Sequence, residues 1–326
     1  MDQLQRFLFE GLPVRGMLVR LDHSWRELLS RRSSPSDGGH AFAAPVRALL
    51  GEMAAASVLM QANLKFNGAL ILQMQGDGPV TLAVAEAQSD LSFRVTAKVV
   101  GDLAPDAGLE AMLNLHGQGR CAITLDPQDR QPGKQPYQGV VPLHGDQREP
   151  LQKLSEVLEH YMLQSEQLDT RLVLAANDDI AAGLLIQRMP MGGEKNLTGG
   201  LLISADEDQI GRNEDYKRIA LLAATLTAEE LLTLQPEQIL QRLFWEETLR
   251  VFDPRSPRFA CRCTRDRVAN MLRGLGVEEI ESLIAERGEA EVGCDFCGAM
   301  YRFDPVDAGA LFAPFQPALP AAGPAH

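Results

Sequence analysis

Apolar positions along this chain change their spacing repeatedly, and each change marks an element. Val46, Leu49, Leu50 and Met53 recur three or four residues apart and run into an alanine-rich stretch. That spacing predicts a long core helix over residues 45–62, with Pro45 tolerated in its first turn. Ahead of it, the first 30 residues carry short apolar runs, of which 14–21 reads as an early strand, and 33–39 is a polar Ser/Pro/Gly loop. Beyond it the period shortens. Residues 68–76 and 80–86 predict strands joined at Asp77-Gly78-Pro79, and 92–100 predicts a third. Gly76-Asp77-Gly78 lacks the lysine of a phosphate loop and precedes a strand, so it reads as a turn. Residues 121–125 and 138–143 flank a loop rich in Pro, Gly, Asp and Gln and predict a long hairpin.

Leu151, Leu154, Val157, Leu158, Tyr161 and Met162 form one stripe, which predicts a helix over 151–166. Strand-like runs follow at 170–175 and 183–187, then a Gly-rich stretch at 191–200. From 206 to 252 the pattern is helical with no strand signal. Thr227-Ala228-Glu229-Glu230 is a capping-box start. Pro236 opens a short amphipathic run carrying Ile239, Leu240, Leu243 and Phe244, and helices this short need a surface to lie on. Asp253-Pro254-Arg255-Ser256-Pro257 reads as a hinge-like boundary. Near the C-terminus Thr264 can cap a helix with Val268, Met271, Leu272 and Leu275 on its apolar face. A second helix carries Ile280, Leu283 and Ile284, and 313–326 is a Pro/Ala tail. No internal repeat is evident.

The expected class is α+β: an N-terminal mixed sheet with packing helices, a helical linker region and a small C-terminal domain that carries four of the five cysteines, at Cys261, Cys263, Cys294 and Cys297, in the pairing that zinc binding requires. The expected divisions are 1–205, an N-terminal α+β domain; 206–258, a metastable helical linker; 259–305, the cysteine domain; and 306–326, a flexible tail.

Composition narrows the function. The chain has 326 residues and a net charge of −13, with 45% hydrophobic and 23% charged residues. Such a balance suits a soluble globular protein and argues against a general binder of nucleic acid or acidic membranes. Charges interrupt the short apolar run at the N-terminus, unlike a signal peptide, and no apolar stretch reaches membrane-spanning length. A cytoplasmic location is expected. Thiols stay reduced there, so clustered cysteines mean metal or redox chemistry.

Four of the five cysteines fall within 37 positions, as Cys261-Arg262-Cys263 and Cys294-Asp295-Phe296-Cys297. Two close thiol pairs brought together across a helical segment supply four sulfurs, the ligand set of a tetrahedral zinc, one ion per chain. Four sulfurs close the coordination, so hydrolytic zinc chemistry is disfavoured, and the chain is not expected to be an enzyme. The apolar face of the domain is too small to fold it unaided, and a bound ion would supply the deficit. Spacing alone leaves a permanently reduced structural zinc as the simplest reading. A zinc-ribbon nucleic-acid module is less suited, because residues 259–303 carry six Arg against eight Asp/Glu. A thiol–disulfide oxidoreductase would place its C-x-x-C at a helix N-terminus. Cys121 stands alone in a strand-like run and reads as a buried, inert thiol.

The residues Phe259-Ala260-Cys261-Arg262-Cys263-Thr264-Arg265-Asp266-Arg267-Val268, Glu291-Val292-Gly293-Cys294-Asp295-Phe296-Cys297 and Tyr301-Arg302-Phe303 closely resemble the heat shock protein 33 family of redox-regulated chaperones. Leu50-Gly51-Glu52-Met53-Ala54-Ala55-Ala56, Leu64-Lys65-Phe66-Asn67-Gly68, Gln73-Met74-Gln75-Gly76-Asp77-Gly78-Pro79, Ser165-Glu166-Gln167 and Leu240-Gln241-Arg242-Leu243-Phe244 extend the resemblance over about residues 5–305. Thr264 stands where serine is expected, and the Pro/Ala tail is extra. The resemblance implies an ATP-independent holdase, inactive while Cys261, Cys263, Cys294 and Cys297 hold zinc. Oxidation by hypochlorous acid, or by peroxide with heat, would pair Cys261 with Cys263 and Cys294 with Cys297, release zinc, and unfold the switch domain and linker. The activated form would dimerise and bind unfolding client proteins. Ile239, Leu243, Phe244 and Trp245 are candidate client-contacting residues, with ordinary buried packing the competing explanation for each.

Overall fold

The computed structural model describes residues 1–33, 41–64, 66–129, 135–189, 211 and 213–312. The Gly-rich 191–200, the 205/206 division and the 313–326 tail lie outside the described residues, as does nearly all of the 33–39 loop. The class is α+β as expected, with two large sheets in place of one.

The molecule is built around α2 (Ala44–Asn63), 14 of whose 20 residues are buried. The helix is apolar on every side, so its only stable setting is between two layers. Sheet A lies on one side of it. Its strand order is β10 (Leu249–Val251), β1 (Gln3–Phe9), β2 (Val14–Leu21), β9 (Ala181–Arg188) and β8 (Thr170–Ala176), and every neighbouring pair is antiparallel. Sheet B lies on the other side. Its order is β11 (Arg258–Phe259), β5 (Ser92–Val99), β4 (Val80–Gln88), β3 (Gly68–Gln75), β6 (Arg120–Pro127) and β7 (Tyr137–Pro142). It is mixed, because β11 runs parallel to β5 while the other pairs are antiparallel. The predicted 68–76, 80–86 and 92–100 strands and the 121–143 hairpin are all in it. Close approach to sheet A explains Gly51 in α2: a Cβ there would meet the Cβ of Ala176 at 2.4 Å. The predicted helix over 151–166 forms as α4 (Leu154–Glu166), packed on β8 and β7.

Sheet A is buried on both faces. Met17, Val19, Leu21, Ala181 and Leu185 pack toward α2. Phe7, Phe9, Val14, Leu18, Ala182, Leu184 and Ile186 point the other way, onto α5 (Glu214–Ala224), α6 (Ala228–Thr233) and α7 (Pro236–Phe244). Thus β9 has no exposed residue, which requires cover on both sides. Helices α5, α6 and α7 provide one cover. The capping box read at Thr227 is present, with Glu230 Oε2 accepting from the Thr227 amide at 3.0 Å and Thr227 Oγ1 accepting from the Glu230 amide at 3.2 Å. Buried Arg20 of β2 donates to the carbonyls of Leu232 (3.0 Å) and Leu234 (3.2 Å), which satisfies the end of α6.

Four local findings differ from the sequence expectation. The early residues form not only β2 but also β1 and α1 (His23–Arg32). The stretch read as wholly helical contains β10, which pairs with the free side of β1. A three-residue edge strand leaves no periodicity of its own, so only its partner defines it. Residues 253–257 are pinned and do not hang free, since Leu4 and Arg255 exchange backbone hydrogen bonds of 2.7 and 3.0 Å. Finally, α10 (Pro305–Phe312) occupies the start of the stretch read as a tail, with Ala308 buried.

Candidate metal centre

The chain leaves sheet B at β11 and enters the first thiol pair at once. Cys261 and Cys263 sit in extended backbone between β11 and α8 (Arg265–Leu275), whose start is fixed by Thr264 Oγ1 accepting from the Arg267 amide at 3.2 Å. After α9 (Val277–Arg287) comes a hairpin of β12 (Ala290–Gly293) and β13 (Met300–Phe303), with Gly293 opposite Met300. Cys294 and Cys297 occupy its turn. The turn closes through Cys294 N–H to the Ala299 carbonyl (2.9 Å) and Gly298 N–H to the Cys294 carbonyl (2.8 Å). Gly298 has φ +75°, a left-handed conformation that a side chain would strain.

These two loops bring the four sulfurs together. Cys261 Sγ lies 3.4 Å from Cys263 Sγ and 3.5 Å from Cys294 Sγ, and Cys263 Sγ lies 3.4 Å from Cys297 Sγ. All four fall within 4.8 Å of one another, and no other such cluster of potential metal ligands exists among the described residues. Tetrahedral coordination at about 2.3 Å per sulfur separates ligand sulfurs by roughly 3.8 Å, so the set fits a thiolate-bound ion. Cys297 is buried and the other three are half-buried. Crowded thiols share their protons unequally. Cys294 is driven down by hydrogen bonds from Cys261 and Cys297, while Cys261 is pushed up to about 11 by its bond to Cys294. Cys297 is likewise pushed up by its bonds to Cys261 and Cys294, so thiolate character, the form that binds metal, is concentrated on Cys294.

The sulfurs pack on the core around α2, of which Cys297 is a buried member, while the helices and hairpin attached to them share only a slight apolar cluster of their own. Ala269, Leu272, Ile280, Ala290, Phe303 and Ala308 are its buried members. Leu272 and Ile280 were expected there, and Val268, Leu283 and Ile284 are partly buried against the cluster. Met271 and Leu275, assigned by periodicity to the same face, are 49% and 57% exposed. Helix α8 has neighbours on one side only, so its buried stripe is narrower than its apolar stripe.

Ile239, Leu243 and Phe244 are buried on the outer face of sheet A, with the Phe244 ring edge-on to Phe9 at 5.0 Å between centroids. Trp245, the next residue, is 74% exposed. Cys121 is fully buried, and burial pushes its thiol up to about 12. It faces Met74 across β3 and β6, within the core around α2. Residues on sheet B beneath the metal loops escaped sequence reasoning. Glu86 and Arg94 are directly opposed on β4 and β5 and touch both loops. Their signal was a charge flanked by apolar residues in each strand, Ala85-Glu86-Ala87 and Phe93-Arg94-Val95.

The Hsp33 protein family profile matches residues 2–304. A 33 kDa chaperonin of Chromobacterium violaceum is 46% identical over 95% of this chain and 94% of its own length. A 33 kDa chaperonin of Methylobacillus flagellatus is 42% identical, with the same coverage of both chains. The crystal structure of the 33 kDa chaperonin from Thermotoga maritima superposes with a TM-score of 0.69 at 20% identity, covering 95% of this chain and 98% of that one, which establishes the common fold. Matched along almost its whole length, with its four cysteines gathered at one point, this chain belongs to the Hsp33 family.

Proposed function

We propose that the protein is a redox-switched, ATP-independent holdase, whose reduced form binds one zinc ion through Cys261, Cys263, Cys294 and Cys297 and keeps its client surface covered. The observation that carries this reading is the contrast between a four-sulfur site and the cluster of only six buried side chains shared by the helices and hairpin attached to it. Bound zinc would supply folding energy, of the order of 10–16 kcal/mol at comparable sites, to a domain that lacks it. Removing the thiolates as ligands removes that support. Each disulfide takes two electrons from two thiolates; with peroxide as oxidant, one peroxide and two protons leave as two waters. Pairing within each loop, Cys261 with Cys263 and Cys294 with Cys297, is supported by loop length, since C-x-C and C-x-x-C keep their partners close after the domain unfolds. Across the loops the sulfurs are no farther apart, so this argument rests on the oxidised and not the folded state.

The linker helices are the second half of the switch. Helices α5, α6 and α7, within the 206–258 linker, cover the outer face of sheet A, and their release would expose Ile239, Leu243 and Phe244 together with Phe7 and Phe9. Those surfaces are apolar and would take unfolding proteins of mixed sequence, in the cytoplasm, with a dimer as the activated form. No described helix is long and apolar enough to cross a membrane. The Cys294–Cys297 pair lies in a hairpin turn and not at a helix N-terminus, which supports a switch in preference to a catalytic dithiol.

The test measures zinc content and suppression of a thermally aggregating client before and after peroxide. About one zinc per chain, lost on oxidation as holding activity appears, is the expected result. Zinc loss without suppression of aggregation overturns the chaperone switch, and catalytic turnover of a disulfide substrate by reduced protein would replace it with an oxidoreductase.

A further inference from the structure

The two metal loops are far apart in sequence, yet both rest on one ion pair of sheet B. Glu86 is 5% exposed and faces outward from β4, directly opposite Arg94 of β5. Arg94 donates through Nε (2.9 Å) and Nη2 (2.5 Å) to Glu86 Oε2, while Gln88 donates to Oε1 at 2.6 Å. The other donor to Oε1 is Arg262, which stands between Cys261 and Cys263. The second loop uses the other member of the pair. The Phe296 ring, inside the Cys294–Cys297 turn, receives the Arg94 guanidinium at 4.0 Å from its centroid. Two residues further along the strand, Thr96 Oγ1 donates to the Asp295 carbonyl at 2.5 Å.

We infer that Glu86 is a positioning residue for the metal centre: through Arg262 directly, and through Arg94 and Phe296, it seats both thiol-pair loops on sheet B and sets how readily they part. The inference rests on the reading of 261–297 as a releasable metal-holding unit. The geometry supplies the reason for a carboxylate at this point. A buried anion with two guanidinium partners, one from the sheet and one from the loop, is stabilised most when the loop is docked. Undocking leaves it with Arg94 and Gln88 alone, in a setting where charge is poorly solvated. The aromatic contact works in the same direction, because a guanidinium over a ring gains when both are shielded from water. Neither loop can open without giving up a contact to the same pair, so the pair couples two segments that share no neighbouring sequence.

The experiment follows zinc transfer from the fully reduced, zinc-loaded full-length chain to a chromophoric chelator, without oxidant, alongside amide exchange. Glu86→Gln is expected to speed release about tenfold, and Arg262→Met, which leaves the sheet's own ion pair intact, about threefold. In the double variant the Arg262→Met effect should nearly vanish, since its partner is gone. Arg302→Met is the control: its partner Glu291 lies within the β12–β13 hairpin and away from sheet B, and release should stay within twofold of the parent. Exchange should quicken at 261–263 and 294–298 and stay unchanged in β3 and β6. Release by Arg262→Met at the parent rate overturns the inference even if Glu86→Gln fails to fold. So does full additivity in the double variant, or exchange in β3 and β6 rising as much as in the loops. Because no client is involved, failure of the chaperone assay would leave this result standing, and failure here would leave the chaperone assay untouched.

Discussion

The core around α2 and the cluster shared by α8, α9, α10 and the β12–β13 hairpin solve the same problem with different means. The first has a helix buried on all sides between two sheets, with Leu50, Met53 and Val58 fully enclosed. The second has two helices, a hairpin and a short terminal helix sharing six buried side chains, three of them alanines. One region is held by area removed from water, and the other has too little area to be held that way. The difference teaches where a switch can be placed. A region that depends on a few sulfur–metal bonds can be undone by chemistry at those atoms, while a region that depends on dozens of apolar contacts cannot.

Removing metal under reducing conditions should break this contrast most visibly. A chelator strong enough to strip the site should abolish amide protection over 265–303, a loss on the scale of about 10 kcal/mol, while α2 and β3 keep theirs. Cys294→Ser should act the same way more weakly, and protection unchanged in either case would sink the metal-for-core argument. The converse experiment is Leu50→Ala, which should lower global stability to denaturant by about 2–5 kcal/mol while zinc affinity stays put. Linked changes in both would mean that the two regions are one cooperative unit. Between these extremes lies Leu243→Asp, which places a charge where Leu243 is 4% exposed. It should undock the linker at a cost near 3 kcal/mol and give client holding without oxidant. A variant that still requires oxidation would show that linker release is not sufficient.

The smallest effect concerns Glu52 of α2, at the edge of the stable region. Burial pushes its carboxyl up to about 7, with Lys153 opposing. A raised carboxyl means that the folded form holds the proton more tightly, so stability falls as pH rises from about 4.5 through 7. Glu52→Gln should flatten that slope and stabilise the protein at pH 8 by about 1–2 kcal/mol, read from denaturation midpoints. An unchanged slope would remove Glu52 from the account.

Much of this was legible in the residues because the forces concerned are local. Two cysteine pairs at C-x-C and C-x-x-C spacing identify a ligand set whatever the surrounding fold. The apolar runs that form β3, β4 and β5 and the stripe of α4 are local patterns, and each element lies within a few residues of its expected range. Positions settled by a distant partner were not legible. Strand β10 exists because β1 has a free edge, and Glu86 matters because Arg262 arrives 176 residues later. Met271 and Leu275 have the right period but nothing to pack against. Burial on both faces of sheet A also left its mark in β9, where Ala181–Arg188 is buried throughout, but an apolar run does not say what lies on either side.

The pairing of β10 with β1 carries one further consequence. Residues 249–255 do more than end the linker: they occupy the outer rim of sheet A through β10 and the Leu4–Arg255 bridge. Were this short strand lost, β1 would present a ragged border of backbone donors and acceptors over Gln3–Phe9, with Phe7 and Phe9 beside it. Exposed borders of that kind recruit any extended chain, including a second copy of the same protein. While β10 stays paired, three residues close a rim that would otherwise be open to an extended chain.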